Sequence, residues 1–285
     1  MSADHQPEFA SEERIVLIDS KQRRYLVTLE VGGEFHSHAG VISHDQIIGS
    51  LEGSQYRTAS NARFLGLRPT LNDHVLKMPR GAQVIYPKDL GPILVLADIA
   101  PNQQVFESGV GSGALSTALL RTGARVTGYE IREDFAQNAK SNVEEFLGSE
   151  ALERYNVKMR DAYEPHDDEG FDRAVLDLPE PWQVVPHLES SLRRGGILVA
   201  YNPSVIQVQN LRRRLSDGPW AMIETVEVLN RTWHVEGNSV RPDHRMVAHT
   251  GFIRAQMGPV RQCIICFAVR AVSYTHLTLP TKRIV

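Results

Sequence analysis

A short apolar strand that runs into a glycine-rich turn, and then directly into a helix, constrains the fold of this chain most. The segment is VFESGVGSGAL at residues 105–115. Glycines let the backbone turn tightly and approach a ligand, and a helix that begins near Ala114 points free N–H groups at it. A second strand, at 125–130, ends in Glu130, at about the distance where such folds bind ribose hydroxyls. Loop and acid together predict a site for a nucleotide-like cofactor.

The rest of the chain predicts a small β-rich domain over residues 1–72 and an α/β domain over residues 73–257. Alternating apolar runs at 14–19 and 24–30, separated by turn residues, indicate strands in the first part. The second part alternates strands and helices, which is typical of a parallel sheet with helices on both faces. The predicted elements are helix 87–99, strand 104–107, helix 114–121, strand 125–130, helix 132–146, strand 157–160, strand 173–178, helix 182–192, strand 196–201, helix 205–215, strand 222–229 and strand 244–253.

Composition and charge do not identify the substrate, but they narrow the expected cellular compartment. The 285 residues carry a net charge of -3, and no apolar run approaches the roughly 20 residues that span a bilayer. The N-terminus shows no signal-peptide core, and Cys263 and Cys266 are the only cysteines, which excludes a disulfide framework. We therefore expect a cytoplasmic protein with no membrane partner.

Acidic residues stand at the carboxyl ends of four successive predicted strands, where ligands of open α/β sheets bind. Taken alone, such an acid is more often a helix cap or a turn former, but four beside a glycine loop favour a site. Glu107 would lie near the amino-acid end of a cofactor and Glu130 at its ribose. Asp161 would lie near the adenine amino group, and Asp177 would face the reacting centre. A cofactor that carries positive charge would suit so many carboxylates.

Four motifs of the chain resemble those of class I S-adenosylmethionine-dependent methyltransferases: ESGVGSGALS, YEIRED, the Asp161-Ala162 pair and LDLPEPW. More narrowly, KMPRGAQVIYPKDLGPIL and RPDHRMVAHTGFI resemble the tRNA adenine-N1 methyltransferase family that acts on adenosine 58 of the T loop. The resemblance covers about residues 15–255. It implies a small N-terminal β domain, a Rossmann-like catalytic domain, S-adenosylmethionine as cofactor, tRNA as substrate and a homotetramer.

The resemblance also implies roles for single residues. Asp177 would be the catalytic aspartate, and Tyr86 would be an aromatic residue near the target base. Residues 112–115 would line the methionine portion of the cofactor, with Glu130 at the ribose and Phe135 beside the adenine. The full cofactor set is Glu107, Gly109, Gly111, Ser112, Gly113, Ala114, Leu115, Glu130, Phe135, Asp161 and Asp177. Candidate RNA contacts are Arg80, Lys88, Arg241, His244, Arg245 and His249.

The chemistry of such a transfer depends mainly on positioning. Adenine N1 has an in-plane lone pair that can attack a sulfonium methyl if the two are held in line, so no metal is needed. The Asp177 carboxylate can accept a hydrogen bond from the exocyclic amine and offset the positive charge placed on the base. Because N1 lies on the Watson–Crick edge, the base must be turned out into a cavity. Tyr86 could stack on that base, or its ring could simply pack in the core.

Two other functions remain open at the level of sequence. An NAD-dependent oxidoreductase is compatible with Gly109-x-Gly111-x-x-Ala114 and Glu130. A noncatalytic tRNA-binding subunit would keep the fold without the chemistry. For the tRNA methyltransferase interpretation, modification of position 57 as well as 58 is also open.

Two further groups of residues favour structural interpretations. His36, His38 and His44 are expected to be exposed strand histidines rather than metal ligands, and the Cys263-x-x-Cys266 pair lacks a second ligand pair. The segment SYTHLTLPTKRIV resembles translated cloning read-through, so residues 258–285 are set apart as an atypical tail that should pack poorly.

Overall fold

The computed structural model describes residues 8–258, beginning with a small antiparallel β structure. The strands are β1 (Arg14–Asp19), β2 (Arg24–Thr28), β3 (Glu34–Ser37), β4 (Gly40–Ser43), β5 (Gln55–Arg57) and β6 (Arg63–Leu67), with a 3-10 turn at His44–Gln46. The sheet has the strand order β2-β1-β6-β5, and β3 and β4 form a separate hairpin. Alternate apolar side chains meet in one core, where the Phe35 ring lies 5.3 Å from the Tyr25 ring and 5.6 Å from the Phe64 ring.

The larger part is a seven-stranded sheet with helices on both faces. The strands are β7 (Gln104–Ser108), β8 (Arg125–Glu130), β9 (Tyr155–Met159), β10 (Phe171–Leu176), β11 (Leu192–Asn202), β12 (Ala221–Glu227), β13 (Trp233–Glu236), β14 (Ser239–Pro242) and β15 (Phe252–Gly258), with 3-10 turns at Ser149–Arg154 and Pro181–Gln183. The strand order in the sheet is β12-β15-β11-β10-β7-β8-β9, with β13 and β14 forming a hairpin outside it. The helices are α1 (Leu71–Lys77), α2 (Pro87–Leu96), α3 (Ala114–Arg121), α4 (Glu133–Leu147), α5 (Val185–Ser191) and α6 (Val205–Ser216).

Local sequence explains where several of these helices begin. Thr70 caps α1 in a capping box with Asp73, and Ser204 caps α6 in the same way. Pro87 occupies the first position of α2, where its missing N–H costs nothing and its fixed φ suits a helix. Gly113 precedes α3 at φ 81°, so the chain turns from the glycine loop straight into the helix.

The central strands are buried on both faces and feed two hydrophobic clusters. One face, carrying Val105 and Val175, packs against α1 to α4. The other face, carrying Phe106 and Leu198, packs against α5 and α6. Near-continuous apolar strands of this kind are expected where parallel strands are covered on both sides.

The structure confirms the α/β class and corrects parts of the predicted sheet. Strands 14–19 and 125–130 and helix 114–121 have the predicted bounds. The sheet is mixed rather than parallel, because β15 runs antiparallel to both β11 and β12. The predicted strand 244–253 is wrong: β15 begins only at Phe252, and residues 246–250 line a cavity. The predicted helix 182–192 is a 3-10 turn followed by α5, because Pro186 sits in the first turn of a helix that starts at Val185.

Ion pairs join the small β structure to the α/β part. Arg24 in β2 contacts the Asp73 carboxylate of α1 at 2.6 Å, and Arg14 in β1 pairs with Glu145 of α4. His44, expected to be exposed, is buried, with Nδ1 accepting a hydrogen bond from the Glu30 N–H at 3.0 Å. Within residues 8–258, no helix is both long and apolar enough to cross a membrane. The cysteine pair and the tail after Gly258 lie outside the described residues.

Candidate active site

The candidate site lies where the order of the parallel strands reverses, between β7 and β10. In open α/β sheets, ligands bind outside the carboxyl ends of the strands at this point. Gly109 follows β7 and has φ 85°, a backbone conformation that residues other than glycine rarely adopt. A Cβ there would also lie 2.9 Å from the carbonyl carbon of Asp177 and overlap the carbonyl oxygen. Glycine is therefore required for the loop after β7 to pass so close to the residue that follows β10.

A first cavity of about 470 Å³ opens over the glycine loop. Six residues of the predicted cofactor set line it: Gly109, Gly111, Glu130, Phe135, Asp161 and Asp177. The Glu130 carboxylate accepts hydrogen bonds from three backbone N–H groups, those of Gly111 at 3.0 Å, Ile131 at 2.8 Å and Arg132 at 2.9 Å. These bonds fix the direction of the carboxylate and tie the glycine loop to the end of β8.

The far end of this cavity offers a flat apolar wall and a second acid. Phe135 presents its ring to the cavity, and the guanidinium carbon of Arg132 lies 3.7 Å from the ring centroid on a cation–π contact. Asp161 is exposed, and its Oδ1 accepts a hydrogen bond from the Tyr163 N–H at 2.9 Å. A planar heterocycle with an exocyclic amine matches a flat ring wall beside a carboxylate.

The other predicted cofactor residues lie behind the cavity wall. Glu107 is fully buried, and Ser116 Oγ lies 2.7 and 2.9 Å from its two carboxyl oxygens. Tyr155 donates to the same serine at 2.7 Å. Burial raises the pKa of Glu107 to about 8. The Glu107 carboxyl group points toward Ser116 of α3, and the residue does not line the cavity.

The turn into α3 is likewise a support rather than a lining surface. Ser112, Gly113, Ala114 and Leu115 are all buried, and none of them lines the cavity. A Cβ on Gly113 would lie 2.9 Å from the Ala139 Cα in α4. Glycine at this position lets the start of α3 pack closely against α4, which holds the glycine loop in place.

A second cavity, of about 610 Å³, adjoins the first. Both cavities share Gln83, Asp177, Leu178 and Pro179 as wall residues. Burial raises the pKa of Asp177 to about 7. A titratable carboxyl group thus stands at the junction of two spaces, where a group could pass from a ligand in one to a ligand in the other.

Aromatic side chains line the second cavity. Tyr86, predicted from the sequence, lies just before α2, and Tyr201 lies near the end of β11. Burial raises the pKa of Tyr201 to about 12, and the nearby charges of Asp89 and Asp177 act in the same direction. The sequence analysis did not identify Tyr201, although AYNPS ends a strand at the same sheet edge as the four acids. It also did not identify Gln207, a wall residue in α6.

The six candidate RNA contacts differ in their surroundings. Arg80, Arg241, His244 and Arg245 are exposed. Lys88 is not on the surface: its Nζ is buried, 2.8 Å from an Asp89 oxygen and 2.6 Å from the Val228 carbonyl oxygen, which argues against the predicted RNA contact. His249 lines the second cavity, and its hydrogen bonds with Glu227 and with the Pro203 carbonyl raise its pKa.

This strand order, with a glycine loop and an acid-lined cavity at the switch point, defines a class I methyltransferase fold. A SAM-dependent O-methyltransferase from Thermotoga maritima has a similar structure, with a TM-score of 0.85 and 31% identity, covering 89% of this chain and 96% of that one. The tRNA (m1A58) methyltransferase TrmI from Aquifex aeolicus gives a TM-score of 0.78 and 27% identity, covering 88% and 98%.

Sequence comparison narrows the class to a family. Residues 64–253 match the family model described as the tRNA methyltransferase complex GCD14 subunit, and residues 8–55 match the TrmI-like N-terminal model. The chain is 34% identical to the tRNA (adenine(58)-N(1))-methyltransferase TrmI of Thermus thermophilus over 244 residues, covering 85% of this chain and 95% of that protein. It is 32% identical to the Methanocaldococcus jannaschii enzyme named for positions 57 and 58, covering 86% and 94%. The chain belongs to this family of tRNA adenine-N1 methyltransferases.

Proposed function

We propose that the protein transfers a methyl group from S-adenosylmethionine to N1 of adenosine 58 in the T loop of tRNA. The observation that carries this proposal is the pair of adjoining cavities with Asp177 at their junction. The names of the Thermus and Aquifex relatives support position 58. Position 57 is a second candidate, because the name of the Methanocaldococcus relative includes it.

The first cavity fits the cofactor. Glu130 would accept hydrogen bonds from the ribose hydroxyls, while Phe135 and Asp161 would hold the adenine ring and its amino group. Gly109 and Gly111 would let the backbone approach the methionine portion. When bound there, S-adenosylmethionine supplies an electrophilic methyl group and a positive charge close to Asp177.

The second cavity fits a purine turned out of an RNA loop. Tyr86 and Tyr201 offer aromatic faces for the unstacked base. Asp177 would accept a hydrogen bond from the exocyclic amine, which orients N1 toward the methyl group. In its ionised form, the same carboxylate would also offset the positive charge that methylation places on the ring.

The proposed assembly is a homo-oligomer, by family resemblance a tetramer, that works on tRNA in the cytoplasm. The β13–β14 hairpin supports self-association, because Trp233, Val235 and Val240 on it are exposed.

The proposed phosphate contacts are Arg80, Arg241, His244 and Arg245. The division near residue 72 remains a proposal, tested by limited proteolysis in the loop between β6 and α1.

The decisive assay incubates the protein with isotopically labelled S-adenosylmethionine and an unmodified tRNA transcript, followed by nucleoside mass analysis and mapping. We expect 1-methyladenosine at position 58, and its loss when the transcript carries guanosine there. Label at position 57 in that second transcript would show that both positions are substrates. No label in any nucleoside would favour a noncatalytic tRNA-binding subunit. Binding of NAD in preference to S-adenosylmethionine would favour an oxidoreductase.

A further inference from the structure

Asp89 is a fully buried carboxylate that the proposed reaction does not use. It lies in the first turn of α2, three residues after Tyr86. Its Oδ1 accepts a hydrogen bond from Lys88 Nζ at 2.8 Å, and its Oδ2 accepts one from Thr250 Oγ1 at 2.6 Å. Lys88 Nζ also donates to the Val228 carbonyl oxygen at 2.6 Å. Three segments distant in sequence therefore meet at the buried Lys88–Asp89 ion pair.

Two of those segments carry walls of the second cavity. α2 follows directly on Tyr86, and Thr250 is the last of the five consecutive wall residues 246–250. The Tyr201 ring packs against the backbone of Gly251, the residue that follows Thr250. The bond from Thr250 to Asp89 therefore anchors the loop at the point where it meets Tyr201.

A buried carboxylate makes this connection specific in a way that apolar packing would not. The Lys88 and Asp89 side chains are only 5% and 0% exposed, so water does not solvate either charged group. Separating the segments would leave a buried charge without its partners, which is far more costly than losing a surface ion pair. The network therefore favours a single arrangement of the segments that it joins.

We propose that Asp89 is a positioning residue that fixes the shape of the target-base cavity, by holding Tyr86, Tyr201 and the 246–250 loop at fixed distances from one another. The inference rests on the proposed function, because the second cavity is taken to hold the base. In-line transfer is sensitive to displacement of about 1 Å, which can cost on the order of 100-fold in rate. Asp89 would act through the shape of the cavity, without touching the base.

The test removes one hydroxyl and keeps the side-chain shape. Thr250→Val deletes the donor to Asp89, and Thr250→Ser restores it. Thr58→Val is the matched control, because Thr58 is a buried threonine of the N-terminal part whose Oγ1 accepts a hydrogen bond from the Ala62 N–H at 3.1 Å. For each variant we would measure kcat and KM with tRNA, S-adenosylmethionine affinity, thermal stability, and hydrogen exchange of residues 244–251 in the RNA-free protein.

We expect Thr250→Val to lower kcat with tRNA by about tenfold or more, as lost alignment implies, and to change S-adenosylmethionine affinity by less than about twofold. Exchange of residues 244–251 should become faster, Thr250→Ser should recover kcat to within about threefold, and Thr58→Val should leave kcat and this exchange unchanged. Wild-type kcat and exchange in Thr250→Val would overturn the proposal. Equal loss of kcat in Thr250→Val and Thr58→Val, in proportion to lost stability, would also overturn it.

The two proposals fail in different ways. If the wild-type protein methylates no tRNA, the proposed function fails, whereas the exchange measurement still decides whether Asp89 holds the loop. If tRNA is methylated but Thr250→Val and Thr58→Val have the same kcat and the same hydrogen exchange, the proposed function stands and the role of Asp89 is refuted.

Discussion

The pKa of Asp177 makes a quantitative prediction for the pH dependence of methyl transfer. Burial raises this pKa from 3.8 to about 7, and the proposed role requires the ionised form. In the free enzyme, the ionised fraction therefore rises from about one tenth at pH 6 to about nine tenths at pH 8. We expect kcat/KM for S-adenosylmethionine to rise about tenfold over this interval, with its half-maximum near pH 7.

The bound cofactor should shift this profile in a known direction. A positive charge close to a carboxyl group favours its ionised form and lowers its pKa. Since kcat at saturating cofactor reports the bound enzyme, its plateau should be reached at lower pH than that of kcat/KM. The separation between the two curves then measures the interaction of Asp177 with the sulfonium.

Initial rates between pH 5.5 and pH 8.5 at constant ionic strength give both curves. Asp177→Asn is the matched control, because it keeps the shape but cannot ionise, so any slope that remains belongs to the cofactor or the RNA. We expect this variant to be slower by about 100-fold or more at pH 8 and to lack the rise near pH 7. A wild-type kcat/KM that is flat or falls from pH 6 to pH 8 would refute the role given to the carboxylate.

Three further substitutions test separate parts of the site. Gly109→Ala should weaken S-adenosylmethionine binding at least tenfold in calorimetry, because the new Cβ overlaps the Asp177 carbonyl oxygen; affinity within twofold of wild type would contradict this. Native Glu107, with a pKa of about 8, keeps a proton that the unfolded chain releases near pH 4.5. The wild-type free energy of unfolding should therefore fall by up to about 4 kcal/mol from pH 5 to pH 8, and Glu107→Gln should remove this fall. Urea denaturation at both pH values checks this, and an equal fall in the two proteins would count against it. Tyr86→Ala should lower kcat/KM for tRNA about tenfold with cofactor affinity unchanged; loss of stability with normal kinetics would instead indicate a core tyrosine.

Much of the fold follows from local patterns. Helix α3 and strand β8 have their predicted bounds because Gly113 ends the loop, and because Arg125–Glu130 alternates between two buried layers. The shared position of the strand-end acids is also predictable, since the carboxyl ends of parallel strands lie at one edge of the sheet. Gly109, Glu130 and Asp177 therefore fall together as the sequence predicts.

The sequence-based predictions differ from the structure where tertiary contacts determine the direction of a side chain or the path of a segment. A strand-end acid can point into the crevice or under a helix, and Glu107 points under α3 because it shares a face with Val105. Lys88 is buried because Val228, 140 residues away, accepts its hydrogen bond. The 244–253 segment carries apolar residues in a strand-like pattern, but Met246 and Val247 line a cavity instead. None of these partners is readable from the surrounding sequence.

The central claim is that a donor and an acceptor occupy adjoining cavities and meet at Asp177. A crystal structure with S-adenosylhomocysteine and a T-arm RNA tests it most directly. The account predicts the sulfur beside the glycine loop with the ribose at Glu130, and a turned-out adenine between Tyr86 and Tyr201 with N1 facing the sulfur. An adenine bound elsewhere, or a sulfur separated from N1 by the wall at Asp177, would contradict it.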